Sequence, residues 1–332
     1  MSTALGLPEP MTRRVVAAAG MAPSLFNTQP WKFRLRPDRI EVHADLGRRL
    51  IATDPEDREL RMACGAALFN LRLAVHAHGV TPVVCLTPGD VPAALAVIRR
   101  GAPSEQNHDD AAALYRAIGR RHTNRQPFLD TPVPEAYRRL LAHAALAEAA
   151  DLHMVTAPTE RSELRDIIAA ADRQQRGNVV CRAELEAWAG YLRSRLDGVP
   201  LAASGPAPEP QDRWAFRDMG RGLSRVRPPG DDFESEPFIA VLTTPTDGPR
   251  AQVQAGQALQ RVLLTATALG LTASFLSQPI EVAEQRRQLR RLLAGDRQPQ
   301  AILRLGFGRA VTTTPRRDVA DLLLREPVGV RP

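Results

Sequence analysis

The chain has 332 residues, a formal net charge of +7, and 44% hydrophobic and 24% charged residues, proportions of a globular protein with room for two modest domains and a sizeable core. Nearly all the positive charge is arginine, since Lys32 is the only lysine, and acids are interspersed, as in Asp54-Pro55-Glu56-Asp57-Arg58-Glu59; a nucleic-acid surface would cluster its charge, so that class is excluded. Residues 1–10 lack a basic-then-apolar leader, no apolar run reaches the roughly 18 residues of a membrane span, and Cys64, Cys85 and Cys181 show no metal-ligand spacing, which points to a cytoplasmic protein with reduced thiols and no membrane or metal.

Met11 to Ala19 reads as a helix that stops at Gly20, and Pro23 bars its continuation. Trp31, Phe33 and Leu35 then alternate with Lys32, Arg34 and Arg36, the pattern of a strand with one buried face. Ser24, Asn27, Thr28 and Gln29 therefore sit on a tight connection, where short polar side chains and free amides can bind a ligand or merely cap local backbone groups. Pro37-Asp38 makes a hairpin turn, with Ile40, Val42 and Ala44 on one side of the returning strand. Asp54 and Pro55 open a long helix over 56–78, in which Leu60, Cys64, Ala67, Leu71 and Ala74 share a face before Gly79 ends it. Val80 to Leu86 reads as a buried strand, and 87–112 as mixed helix and linker, with the polar run 104–110 as a junction between units 1–110 and 111–332.

In Tyr115 to Phe128 a helix delivers Arg120, Arg121 and Arg125 around Thr123; guanidinium forks and a hydroxyl suit a phosphate, although a solvated basic face has the same composition. A helix over Ala136–Ala150, a strand over Leu152–Val155 and a helix over Glu160–Gln175 follow. Residues 198–232 are rich in Pro, Gly and Ser but carry Trp214, Phe216 and Met219, which favours an ordered lid over a linker. Pro237–Thr243 is a core strand, 252–269 a helix, Ala273–Ser277 a loop and Ala301–Phe307 the last strand, ahead of Thr314-Pro315-Arg316-Arg317. The stretch beginning at Gly65 aligns without a gap with that beginning at Gly256, sharing Ala67/Ala258, Leu68/Leu259, Leu73/Leu264, Ala77/Ala268 and a closing Gly79/Gly270, as an internal duplication would. The two leading glycines would let these helices approach closely.

Ala22-Pro23-Ser24-Leu25-Phe26-Asn27-Thr28-Gln29-Pro30-Trp31 resembles the loop that nitroreductase-family flavoproteins fold against the FMN of their partner subunit, most of all in the Acg-type actinobacterial branch. Arg120-Arg121-His122-Thr123-Asn124-Arg125 resembles that family's Arg-Arg-x-Ser/Thr-x-Arg motif. The resemblance implies an α+β fold of two pseudo-symmetric halves, with mixed antiparallel sheets wrapped by helices and the two long helices at the centre. It implies FMN held by Pro23, Ser24, Asn27 and Gln29 from one half and by Arg120, Arg121, Thr123, Arg125, Arg316 and Arg317 from the other. A backbone N–H among Ser274, Phe275 and Leu276 would face flavin N5. Each motif occurs once, so one FMN per chain is expected, between the halves. The implied activity is hydride transfer from NAD(P)H through FMN to a nitro compound, quinone or similar acceptor, with no obligatory catalytic side chain, in a monomer or homodimer. The alternative is a non-catalytic protein that sequesters FMN behind the lid. Other constellations fail: Gly306-Phe307-Gly308 lacks the third glycine of a dinucleotide fingerprint, and Ser24 lacks the glycines of a nucleophile elbow.

Overall fold

The alternation at 31–44 forms an antiparallel hairpin of β1 (Trp31–Leu35) and β2 (Arg39–Ala44), registered from Trp31 opposite Ala44 to Leu35 opposite Ile40. Trp31 and Phe33 are fully buried on its inner face. The computed structural model describes residues 3–102, 108–192, 194–214, 216–224, 226–228 and 232–324. Before the hairpin comes α1 (Glu9–Gly20); after it come α2 (Arg58–Ala77), β3 (Pro82–Leu86), β4 (Ala96–Arg100) and α3 (His108–Ala117). Then follow α4 (Glu135–Leu146), β5 (Asp151–Val155), α5 (Pro158–Gly177), α6 (Val179–Trp188), and the short parallel pair β6 (Ala189–Tyr191) and β7 (Val199–Pro200). The chain continues with β8 (Phe238–Thr244), α7 (Pro249–Ala268), β9 (Thr272–Phe275), α8 (Gln278–Glu281), α9 (Ala283–Leu292) and β10 (Gln298–Gly306).

Two four-stranded antiparallel sheets result, ordered β1-β2-β4-β3 and β5-β8-β10-β9. Both are built by one rule: two strands, a long helix, then two strands of which the later lies inside. The fold is α+β, as the resemblance implied.

The long helices α2 and α7 pack against each other between the sheets. Asp54 starts α2, its carboxylate accepting from the N–H of Arg58 at 2.8 Å and of Leu60 at 2.9 Å, which satisfies donors that a helix start leaves free. The expected single apolar face understates α2: it is buried on nearly all sides, as a helix between two layers must be. Where it crosses α7, a Cβ on Gly65 would lie 2.1 Å from the carbonyl oxygen of Val253, and one on Gly256 would lie 2.0 Å from that of Met62. Only hydrogen fits there. Beside the crossing, buried Gln260 donates to Asn70 at 2.7 Å, and Asn70 donates to the carbonyl of Ala18 at 3.0 Å. Arg58 reaches Asp247 at 2.6 Å and Gln300 at 3.1 Å, tying the start of α2 to the second sheet.

Several expectations need correction. The 87–112 stretch, read as helix and linker, contains β4, whose Ala96, Val97 and Ile98 are buried between β2 and β3. β3 itself is an edge strand, with Val83 and Cys85 exposed. Of the expected junction at 104–110, residues 103–107 lie outside the described residues; α3 after it packs Leu114 and Ala117 against Phe69, Leu73 and Leu264 of both long helices. α6 was not foreseen, and the expected 273–277 loop is β9 as far as Phe275. α3 ends at Ala117, so Arg120, Arg121 and Arg125 stand beyond it. The chain finally returns to the first sheet, where Leu322 enters the core around Trp31 and Phe33, and Leu324 donates to the carbonyl of Phe33 at 2.8 Å. No described helix is long and apolar enough to cross a membrane.

Candidate functional site

After α1 the chain coils tightly. Phe26, Asn27 and Gln29 adopt left-handed φ values of 49°, 55° and 51°, which cost energy for side-chain-bearing residues and persist only where the surroundings impose them. Ser24 Oγ accepts from the N–H of Gln29 at 2.9 Å. The Asn27 amide donates to the carbonyls of Gly198 at 2.9 Å and Pro315 at 3.0 Å and accepts from Arg316 at 3.0 Å. Gln29 donates to the carbonyl of Leu196 at 3.0 Å and accepts from the N–H of Arg317 at 2.9 Å. Asn27 and Gln29 thus clasp two distant segments onto this loop and do not line the cavity beside it.

That cavity encloses about 1200 Å³ including the solvent at its mouth. Pro23 to Phe26 form one side; Glu59, Met62, Ala63 and Ala66 of α2, with Leu259 of α7, form the floor. Thr123, Arg125, Ser274 to Leu276 of the β9 edge and Ala301, Ile302 and Arg304 of β10 form the opposite side. The expected lid is an ordered arm: Ser204, Pro206, Trp214, Phe216, Arg217 and Met219 cover the cavity. Trp214 is buried among Ile168, Ile239 and Leu276, and Arg217 pairs with Glu281 at 2.5 Å and stacks 5.2 Å over Phe26. Residues 215, 225 and 229–231 of the expected lid lie outside the described residues.

Of the residues expected to hold a ligand, Pro23, Ser24, Thr123, Arg125, Ser274, Phe275 and Leu276 line this cavity. Although the charges of Arg316 and Arg125 both act on Arg121, neither Arg121, which is buried, nor Arg316, which is half-buried, is in that lining. Both guanidinium groups donate to the carbonyl of Met21, at 3.4 and 3.3 Å, the C-cap of α1, where the helix dipole concentrates negative charge. Arg125 donates to the carbonyl of Ala203 at 3.1 Å. Among the described residues none of the three forms a salt bridge with a carboxylate. The Nε atoms of Arg121 and Arg316 are buried without partners. Burial, with Arg316 and Arg125 nearby, lowers the Arg121 pKa to about 9; burial lowers Arg125 and Arg316 to about 10. Such a cluster of desolvated cations has an unmet need for an anion.

Arg120 is a correction: it is exposed and does not line the cavity. Arg317 is not in the lining either, and its guanidinium turns to Asp45 at 3.5 Å. The Leu276 N–H is spent on the carbonyl of Ile302 at 3.0 Å. That bond fixes the alternation of the antiparallel ladder, so the Phe275 N–H faces the outer edge, where the Ala273 carbonyl accepts from Asn124 at 2.8 Å. The expected amide donor narrows to Phe275.

Sequence reasoning missed Glu59, Arg217 and Arg304. Glu59 has the position of an acid favoured by the dipole of α2, which masked it. Arg304 is the only charged residue of β10 and could have been singled out on that ground. It pairs with Glu234 at 3.2 Å and lies 3.9 Å over Phe128.

Residues 118–308 match the nitroreductase family. A Mycobacterium tuberculosis H37Rv protein bearing the name "Putative NAD(P)H nitroreductase" is 32% identical over 322 residues, covering 94% of this chain and 90% of that protein. The "Putative NAD(P)H nitroreductase acg" of the same strain is 28% identical over 321 residues, 93% and 94% of the two chains. A solved nitroreductase with bound FMN from Desulfitobacterium hafniense superposes with a TM-score of 0.41 at 15% identity, over 65% of this chain and 98% of its own. The chain belongs to the nitroreductase family.

Proposed function

We propose that this protein is an NAD(P)H-dependent FMN oxidoreductase, with one flavin per chain bound between the two sheets. The observation that carries the proposal is the group of Arg121, Arg125 and Arg316, close enough for the charges of the other two to act on Arg121, of which Arg125 lines a largely apolar cavity and the other two keep buried Nε donors unpaired among the described residues. A phosphate meets that need with charge-assisted, forked hydrogen bonds, and an apolar, roofed cavity suits a flat ring. FMN, when bound, would accept hydride from NAD(P)H and pass electrons to a nitro compound, quinone or similar small acceptor. The residues would bind and orient: the arginines hold the phosphate, the Phe275 N–H offers a hydrogen bond at the β9 edge, and Trp214 and Phe216 exclude water. The names of the relatives support the nicotinamide as donor. The shared strand order of the two sheets and the aligned glycine helices support an origin by duplication, with 1–110 and 111–332 as its halves. Free cysteines fit a reducing, cytoplasmic setting.

One observation favours a second reading, a protein that stores the flavin without turnover. The Arg217–Glu281 pair and the buried Trp214 fasten the arm over the cavity, and a fixed roof would bar a nicotinamide. The absorbance spectrum of the purified protein, followed anaerobically as NADPH is added, separates the two. Rapid bleaching of a yellow protein supports the oxidoreductase, yellow colour that yields only to dithionite supports storage, and a colourless protein that takes up no FMN refutes both.

A further inference from the structure

Among the described residues that line the cavity, Glu59 is the only acid. It belongs to the first turn of α2, and its Oε2 is buried with no hydrogen-bond partner among the described residues. A buried polar atom without a partner is rare in folded proteins and calls for a cause. Among the described residues no charged group donates to it, and those that act on it hold their main partners elsewhere, although the Nε of Arg58 is likewise buried without a partner. Arg58 donates to Asp247 and Gln300. Arg217, from the arm, forks onto Glu281 and also donates to Gln175 at 2.7 Å. Both oxygens of Asp54 accept from backbone N–H groups at the start of α2. Glu281 of α8 is engaged by Arg217 and by Gln175 at 2.5 Å. The face of Glu59 that remains open is the one toward the cavity.

The surroundings also favour its protonated form. Burial, first, and then the charges of Glu281 and Asp54 push the Glu59 pKa well above the ordinary carboxylate value, outweighing Arg217 and Arg58. A carboxyl group that keeps its proton is a hydrogen-bond donor, which an ionised one is not.

We propose that Glu59 is a specificity-determining residue of this cavity, donating its carboxyl O–H to a carbonyl oxygen or ring nitrogen of the bound molecule. The ligand class is a neutral ring bearing such acceptors, for which the isoalloxazine is the candidate, so the inference rests on the flavin reading above. An occupant carrying a carboxylate at that end would be rejected above the pH at which Glu59 ionises.

The test is equilibrium dialysis of the full-length protein against FMN from pH 5 to 9, on wild type and Glu59→Gln, with the melting temperature of each recorded. Neutral Glu59 donates and ionised Glu59 repels acceptor atoms, so wild-type Kd rises with pH once the group ionises, by up to about tenfold per pH unit. Arg125, Arg304 and Arg316, whose pKa values are lowered only to about 10, stay largely charged over this range, and Arg121, lowered to about 9, loses charge at its upper end in all variants alike. His122, lowered by burial and by Arg121 and Arg316, and the phosphate itself, which titrates near pH ~6, contribute equally to both proteins. The glutamine amide still donates but does not titrate, so the variant should lack the Glu59 component while keeping the low-pH affinity. A third protein, Glu59→Leu, fills a similar space without a donor and should bind FMN about tenfold more weakly than wild type at pH 5, where Glu59→Gln does not; a folded Glu59→Leu protein with wild-type affinity would overturn the assignment of Glu59 while leaving the flavin site standing. Failure of folded wild-type protein to take up FMN at any pH would overturn the flavin reading and this inference with it.

Discussion

Gly256→Ala tests the central packing most sharply. The new Cβ would lie 2.0 Å from the Met62 carbonyl oxygen and 2.9 Å from the Gly65 Cα, and neither atom belongs to a side chain that can swing aside. Restoring an ordinary contact requires the helices to part by roughly 1 Å, in an interior as densely packed as a crystal. Overpacking of this kind costs about 1–3 kcal/mol, and an obstructing backbone places it near the top of that range. Alanine recovers about 1 kcal/mol of helix propensity, leaving a net loss of about 2 kcal/mol, or a melting temperature lower by roughly 3 °C. Because α2 and Leu259 floor the cavity, FMN affinity should fall as well. Gly177→Ala is the control, since a Cβ there meets nothing within 4 Å; it should melt at or slightly above the wild-type temperature. If Gly256→Ala melts within 1 °C of wild type by calorimetry and retains its flavin, the close crossing of α2 and α7 is wrong.

Three further outcomes are expected. Arg121→Met removes a buried cation that lacks a carboxylate partner, so the flavin-free protein should be as stable as wild type or more stable by about 1 kcal/mol in urea unfolding, while FMN affinity measured by fluorescence falls about 10- to 100-fold; lower apoprotein stability would contradict the account. Asn27→Ala loses three hydrogen bonds and leaves a non-glycine residue at φ 55° without asparagine's tolerance of that region, so it should cost about 2–4 kcal/mol and speed proteolytic cleavage within 194–214; unchanged protection of that segment would count against the clasp. Arg58 holds the Asp247 pKa down to about 2, below its ordinary 3.8; a depressed carboxylate contributes stability above its unfolded pKa and loses it as pH falls through the folded value. Asp247→Asn should therefore destabilise by about 1–2 kcal/mol at pH 7, the partial exposure of Asp247 screening the pair, a gap that narrows between pH ~4 and ~2 and that equal acid-unfolding profiles would disprove.

The hairpin, both long helices and the loop at 22–31 were legible because alternation, capping and punctuation act over a few residues. Strand β4 was not. Ala96 to Arg100 is short, and its burial comes from β2 and β3 on either side, partners that no local pattern reveals. The same reasoning explains the arginines. Sequence marks Arg120, Arg121 and Arg125 alike, yet the chain leaves α3 just before them, so a helical face cannot say which turns inward. Asn27 and Gln29 were legible as polar loop residues, but their bonds run to residues near 198 and 315. Glu59 was hidden by its innocuous place at a helix start, since its character depends on Glu281, more than two hundred residues away.

The return of residues 314–324 to the first sheet also sets an order of events during synthesis. Arg316 supplies part of the arginine cluster, and Leu322 fills a place in the core around Trp31 and Phe33. While the ribosome still holds this segment, a nascent chain can pair β1 with β2 and yet lacks both the last cation and the last apolar plug. A product cut short ahead of Thr314 would emerge with the core around Trp31 and Phe33 open and the arginine cluster incomplete.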